Sequence, residues 1–338
     1  MKLSNCILSL VALASLAAGI DARACTSAIV GRGRSASGAA LLWKHRDTGA
    51  PHNFIAHHEA TDSTLEYIAL HNCNDTQGRE AWIGMNRAGF AVMNTASYNL
   101  VPDTATVKDR EGLVMTAALQ KCRTINDFKL LLDSLPRPMG VQANFGVIDS
   151  SGNAAYFETH DHGYKIYGVA DSAAIVRTNY SHSGGPEGRL GVTREGIADL
   201  YLRCTPSITR EDMLDNLSRR LFDPDSGFDI TQTDAQEAVD NGDFIPRYIS
   251  TASIAIEAVP SAAGDGTEYV MWTMLGYPPC ADVYKVTFDS IPAQVKPGSD
   301  GITDAERKAD RKKSQVYDGR KKGKHRIINI SKLRELTD

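Results

Sequence analysis

The chain lacks the features that would mark a zinc, membrane or nucleic-acid protein. No two of its six cysteines stand as C-x-x-C. His57-His58 has no ligand-spaced partner nearby in the sequence, so a structural zinc site is not expected. Past residue 24, no segment approaches the roughly 20 apolar residues of a membrane helix. No internal repeat is evident. Basic charge is not in excess: the formal net charge is -4, which excludes a general nucleic-acid binder that would need a positive field to attract phosphates. The rest, 42% hydrophobic and 23% charged over 338 residues, is globular composition, enough for one large domain or two small ones.

The first 24 residues read as an export signal. Met1-Lys2 gives a positive start, Ile7 to Ile20 is apolar, and Ala22 and Ala24 flank Arg23 in an A-x-A cleavage pattern. The run is too short to span a bilayer comfortably, which disfavours an uncleaved anchor. Cutting after Ala24 leaves Cys25 first, in an exported protein, periplasmic or extracellular. A cysteine at that place can also carry lipid, which would make the chain a lipid-anchored surface binding protein. The charged Arg23 fits such processing badly. Five cysteines then remain, an odd number, with Cys25 the natural unpaired one and the other four able to form up to two disulfides.

Along the chain, Cys25 to Val30 and Ala39 to Lys44 read as a hairpin joined by the turn-rich Gly31–Gly38. Further strands are expected at Ile68–Leu70, Ala81–Gly84, Phe90–Met93, Asn144–Asp149, Ala154–Glu158, Tyr164–Val169, Ser253–Val259, Glu268–Leu275 and Val283–Phe288. Helical spacing covers Gly112–Cys122, Phe128–Leu135, Leu190–Arg203 and Thr209–Leu221, with Pro136 and Pro138 stopping the second. Strands and helices are grouped rather than alternating, which points to α+β architecture with antiparallel sheets covered by helices. The main domain is expected over residues 25–290. Residues 291–338 read as a charged helix and the edge strand Ile327–Ile330, packed on the same domain. The basic runs at Arg311–Lys313 and Arg320–Lys324 read as a solvated face rather than a polyanion site, because acidic residues interleave them.

A first-residue cysteine is a chemical device. The attacking species is the thiolate, and a free thiol is mostly protonated at neutral pH. The α-amine of the same residue has an ordinary pKa of about 7.7–8.0, so it can take the thiol proton. An internal cysteine has only an amide nitrogen, so signal cleavage would create the catalyst. Acyl transfer also needs a group to hold the ammonium and donors for the oxyanion. Asp47, at the returning end of the hairpin, can do the first. Asn94 and Asn179 are candidates for the second. Each has a plainer reading too: Asp47, Asn94 and Asn179 as turn residues, and Arg247 as a surface or paired arginine. His57, His58, His160 and His162 read as loop or surface histidines, and Trp43 and Trp82 as core or pocket lining.

Cys25-Thr26-Ser27 before an apolar strand, then Lys44-His45-Arg46-Asp47, resembles the opening of the N-terminal-nucleophile hydrolases. The similarity is to the choloylglycine hydrolase and penicillin acyltransferase group of linear-amide hydrolases. Gly84–Asn94, Arg177–Tyr180, Pro246–Tyr248 and Tyr269–Pro279 are similar as well. The resemblance implies a four-layer αββα sandwich that hydrolyses a linear C–N amide bond without a cofactor. It implies Cys25 as nucleophile and amine base, Asp47 orienting the amine, Asn94 and Asn179 at the oxyanion, and Arg247 supplying charge. One departure stands out. Lys44 and His45 replace the group's arginine and asparagine, so Lys44 becomes the basic partner without an arginine's planar fork, unless Arg46 serves instead. The expected partner is a small-molecule amide, with a homo-oligomer possible. Acyl transfer to an amine and dipeptidase action are alternative uses of the same thioester.

Overall fold

The computed structural model describes residues 24–100, 105–260 and 267–337. The export-signal reading of residues 1–23 therefore lies outside the described residues. The chain opens with β1 (Thr26–Val30) and β2 (Leu41–Asp47), then β3 (Asn53–His58), β4 (Tyr67–Asn72), β5 (Ile83–Asn86) and β6 (Ala91–Ala96). Helices α1 (Glu111–Lys121) and α2 (Ile125–Ser134) precede β7 (Ala143–Ile148), β8 (Ala154–His160), β9 (Gly163–Gly168) and β10 (Ala174–Arg177). After α3 (Val192–Cys204) and a π-helical segment Asp212–Leu217 come β11 (Glu237–Asp240), β12 (Ser250–Pro260), β13 (Thr267–Leu275) and β14 (Tyr284–Val286). The chain closes with α4 (Asp304–Val316), β15 (Lys321–Lys322), β16 (His325–Asn329) and α5 (Ile330–Thr337).

Two antiparallel sheets carry the architecture. One runs β10-β1-β2-β12-β13-β14, the other β3 to β9 in sequence order. Alternation along the first sheet sets its two faces. Ile29, Leu42, Ile254 and Ile256 join a core shared with the seven-stranded sheet, whose other face takes Val114, Leu119, Phe128 and Leu132 from α1 and α2. The intervening Ala28, Val30, Leu41, Trp43 and Ala255 pack against Ala198 and Leu202 of α3 and Met213, Leu214 and Leu217 of the π segment. The result is the expected αββα sandwich. β2 lies between β1 and β12 and is buried along its whole length, so its polar residues Lys44, His45, Arg46 and Asp47 are interior groups.

Local sequence explains several joints. Asn86 Oδ1 accepts the backbone N–H groups of Ala88 and Phe90, which closes the β5–β6 turn. Gly89 there has φ +82°, and a Cβ would come within 2.2 Å of the Tyr269 hydroxyl. Thr124 and Asp127 form a capping box on α2, and Thr303 and Glu306 do so on α4.

The structure corrects several expectations. His57 and His58 end strand β3 and are half-buried rather than loop residues. His57 also has ligand-type neighbours in space, Glu59 and Glu66, although Glu66 is already a bidentate partner of Arg87. β10 and β11 were not foreseen. The helix expected over Thr209–Leu221 is shorter, covering residues 210–217, and is π-helical over Asp212–Leu217. The last strand is no edge of a main sheet: β16 pairs with β11 and β15 in a separate three-stranded sheet, and α5 follows it. Cys25 is unpaired, as expected, and Cys73, Cys122, Cys204 and Cys280, which could have formed up to two disulfides, are unpaired as well. Among the described residues, no helix is long and apolar enough to cross a membrane.

Candidate active site

The β1–β2 register builds the site. Thr26 stands opposite His45 and Ser27 opposite Lys44, so the ladder's next position sets Cys25 across from Arg46. Side chains alternate from there. Ser27 points between the sheets, where its hydroxyl meets the Tyr156 hydroxyl at 3.0 Å. Thr26 points to the helical side, where it accepts from Arg194 of α3 at 2.8 Å. Cys25 lines a cavity of about 990 Å³, and its thiol contacts the Asp47 carbonyl oxygen at 3.8 Å.

Asp47 is the centre of a buried polar cluster. Its Oδ1 accepts the Ser250 hydroxyl at 2.6 Å, and its Oδ2 accepts Arg247 Nε at 2.7 Å. The same guanidinium donates to the Ala24 carbonyl oxygen at 3.1 Å. Arg247 therefore bridges the Asp47 carboxylate and the residue preceding Cys25. Burial opposes its charge, but Asp47 beside it more than offsets this and holds the guanidinium above its usual range. His45 Nε2 lies 2.9 Å from the Ser250 oxygen. Because that hydroxyl gives its proton to Asp47, the imidazole donates through Nε2–H. Burial pushes His45 down to about 4, so it is neutral at working pH.

On the inter-sheet side, the Lys44 ammonium donates to the Trp82 carbonyl and to Asn94 Oδ1, both at 2.7 Å. With its oxygen held by the ammonium, Asn94 offers its NH2 to any ligand in the cavity it lines. Burial pushes Lys44 down to about 7, with the neighbouring Cys25 raising it and Arg46 lowering it. Arg46 also lines the cavity. It donates to Asn53 and, at 2.8 Å, to Asn72, and its guanidinium lies 5.1 Å from the Trp82 ring centre.

Five of the six expected site residues thus gather: Cys25, Lys44, Asp47, Asn94 and Arg247. Asn179 stands apart from the cavity lining. Its amide NH2 donates to the Ala96 carbonyl at 3.0 Å, and its oxygen accepts Arg194 at 2.9 Å. Arg194, unforeseen from sequence, also donates to the Cys25 carbonyl at 2.9 Å. It is almost fully buried, and burial pushes it down to about 10, still charged at neutral pH. Ser250 was unforeseen too. Neither sits in a motif, and an arginine on an amphipathic helix reads as exposed.

A family model described as acyl-coenzyme A:6-aminopenicillanic acid acyl-transferase matches residues 38–238, more than half of the chain. The chain belongs to this family. It is an enzyme of the N-terminal-nucleophile acylase and acyltransferase class, as its opening residues implied. Solved structures similar to it include the Caenorhabditis elegans ortholog of N-acylethanolamine-hydrolyzing acid amidase, at 14% identity and TM-score 0.45, covering 72% of this chain and 98% of that one. A conjugated bile acid hydrolase from Clostridium perfringens matches at 9% identity and TM-score 0.44, covering 79% and 93%. Penicillin V acylase from Agrobacterium tumefaciens matches at 12% identity and TM-score 0.44, covering 79% and 87%. At these scores they add nothing to the architecture already described. No curated protein sequence matches.

Proposed function

We propose that the mature protein begins at Cys25 after export and hydrolyses a linear amide through a Cys25 thioester. The observation that carries this reading is the Arg247 bridge, which sets the Ala24 side of the Ala24–Cys25 junction beside the Asp47 carboxylate. Cleavage there turns an amide nitrogen into an amine next to a carboxylate that Ser250 and Arg247 already hold in place. Two of the carboxylate's lone-pair directions are engaged, which leaves capacity for an ammonium.

The chemistry follows from these groups. The α-amine takes the thiol proton, and sulfur attacks the amide carbonyl. The oxygen gains negative charge and is met by the Asn94 NH2, with Lys44 holding that amide in orientation. The C–N bond breaks as the ammonium returns its proton to the leaving amine. Water, activated by the same amine, then cleaves the thioester and releases the acid.

The cavity favours a polar substrate over a steroid or long acyl chain. Asn72, Asn74, Asp75, Arg79, Glu80, Lys108, Asp109 and Glu111 line it, against Trp82, Leu100 and Leu113 as its larger apolar side chains. Transfer of the acyl group to an amine is the second reading. It is favoured by the family's description and by a cavity wide enough for an acceptor.

Released amine, measured over a panel of N-acyl amino acids, dipeptides and bile-salt amides, tests the reading. Cys25→Ser is expected to lower kcat about 1,000-fold or more on the best substrate. A variant that kept the wild-type rate would remove Cys25 from the mechanism.

A further inference from the structure

The family match ends at residue 238, yet the chain beyond it is attached at two places to the residues that carry or hold the site's arginines Arg46 and Arg247. Glu306, in the first turn of α4, is fully buried. One of its carboxylate oxygens does ordinary capping work, accepting the Thr303 hydroxyl at 3.1 Å and the Thr303 N–H at 3.3 Å. The other leaves the helix and accepts the Asn53 N–H at 2.5 Å. Asn53 is itself fully buried, and its side-chain oxygen accepts Arg46. A cap needs only the first contact. The second adds nothing to α4 and fixes the backbone of the residue that holds a cavity arginine.

The other attachment is at Arg247. Asp240 Oδ2 accepts the Tyr248 N–H at 2.7 Å and the Tyr317 hydroxyl at 2.9 Å, Tyr317 being the residue after α4. The Arg326 guanidinium of β16 lies 3.6 Å from the Tyr248 ring centre. The segment that carries Arg247 is therefore clamped by residues of the C-terminal region.

We infer that the C-terminal region is a working part of the amidase centre, with Glu306 a positioning residue that holds Arg46 through Asn53. This rests on the amidase reading above. Arg46 stands across from Cys25 at the ladder's end, and Asn53 and Asn72 are two of the groups that fix its guanidinium in the cavity. Asn53 also pairs with Asn72 of β4, so losing the Glu306 contact removes one restraint on its backbone and loosens the arginine's geometry with it.

A double-mutant cycle on the mature full-length enzyme tests this. Glu306→Ala is expected to lower kcat/KM about tenfold in the native background and less than about twofold in an Arg46→Ala background, because the second variant has already lost what Glu306 positions. Glu306→Gln, which keeps an acceptor for Asn53, restores most of the activity. Thr303→Ala removes the cap hydroxyl and its contact with one Glu306 oxygen but leaves the other oxygen on the Asn53 N–H, so it lowers Tm by about 2 °C and leaves kcat/KM within about twofold. If Glu306→Ala does not fold, Asn53→Ala takes its place in the cycle: it keeps the backbone N–H that Glu306 accepts but removes the side-chain oxygen that accepts Arg46, cutting the relay one step later without touching α4. Equal losses in both Arg46 backgrounds would overturn the proposal. So would an Arg46→Ala enzyme as active as wild type, or a Thr303→Ala enzyme as impaired as Glu306→Ala. Failure of the amidase reading shows separately, as activity that survives Cys25→Ser.

Discussion

Lys44 keeps an ammonium where burial disfavours it, and the pH dependence of the enzyme should report this. With its pKa lowered to about 7, the side chain loses its proton as pH rises through that value. The positive neighbour of the Cys25 thiolate is then lost, so kcat/KM should fall on the alkaline side from about pH 7 upward. Lys44→Arg keeps the charge and is expected to move that limb upward by two pH units or more, read from the pH profile of kcat/KM. An identical limb in both enzymes would assign it to another group. Linkage gives a second sign. Between about 7 and the unfolded value of 10.5, the unfolded chain binds more protons at Lys44, so this residue's contribution to stability rises with pH across that window. His45 is already neutral above about 4 and should add no titration near neutrality. Cys25, Lys44 and Asp47 were legible in the sequence because one hairpin joins them. Arg194 and Ser250 were not, because they reach Cys25 and Asp47 from 169 and 203 residues away.

Elements were legible where periodicity was strong. The β1–β2 hairpin, the β5–β6 turn, α1 and the long strands of both sheets follow apolar alternation and turn chemistry that survive in the fold. β3 was missed because Asn53, His57 and His58 dilute its apolar residues, and β10 because it has four residues. The C-terminal region looked like a solvated face because charge dominates α4, while its contacts to the body run through Glu306, Val316 and Tyr317. At this scale the α-helical layer offers a control for the site. Phe128 of α2 is fully buried and meets Phe145 and Phe157 edge-on, with centroids 5.6 and 5.1 Å apart. Phe128→Ala is expected to cost about 3–5 kcal/mol in denaturant unfolding. Its kcat should stay within about twofold where the variant is folded, because the outer helices do not carry the reacting groups. A large kcat loss in folded Phe128→Ala enzyme would mean that the α layer shapes the cavity.

Across the whole molecule, the sandwich solves a placement problem. Under the proposed mechanism the nucleophile stands at a new chain start and has no preceding residues to fix it, so it must be held by what surrounds it. β1 lies between β10 and β2, Arg194 of α3 grips the Cys25 carbonyl, and Arg247, in the segment before β12, holds the Asp47 carboxylate on the neighbouring strand. Sheet order, helical cover and the C-terminal clamp thus converge on one end of one strand. The family and the layered architecture were legible from the opening motif and the grouped elements. The substrate was not, because the cavity draws its lining from β2, β4, β6, the β4–β5 connection and the approach to α1, which no single stretch of sequence displays together. The most direct test of the account is the mass of acid-quenched enzyme caught during turnover of its best amide, followed by mapping of the N-terminal peptide. The expected result is a chain that starts at Cys25, has a free α-amine and carries the substrate's acyl group on the Cys25 sulfur. Active enzyme with Cys25 still joined to Ala24, or an acyl group on any other residue, would contradict it.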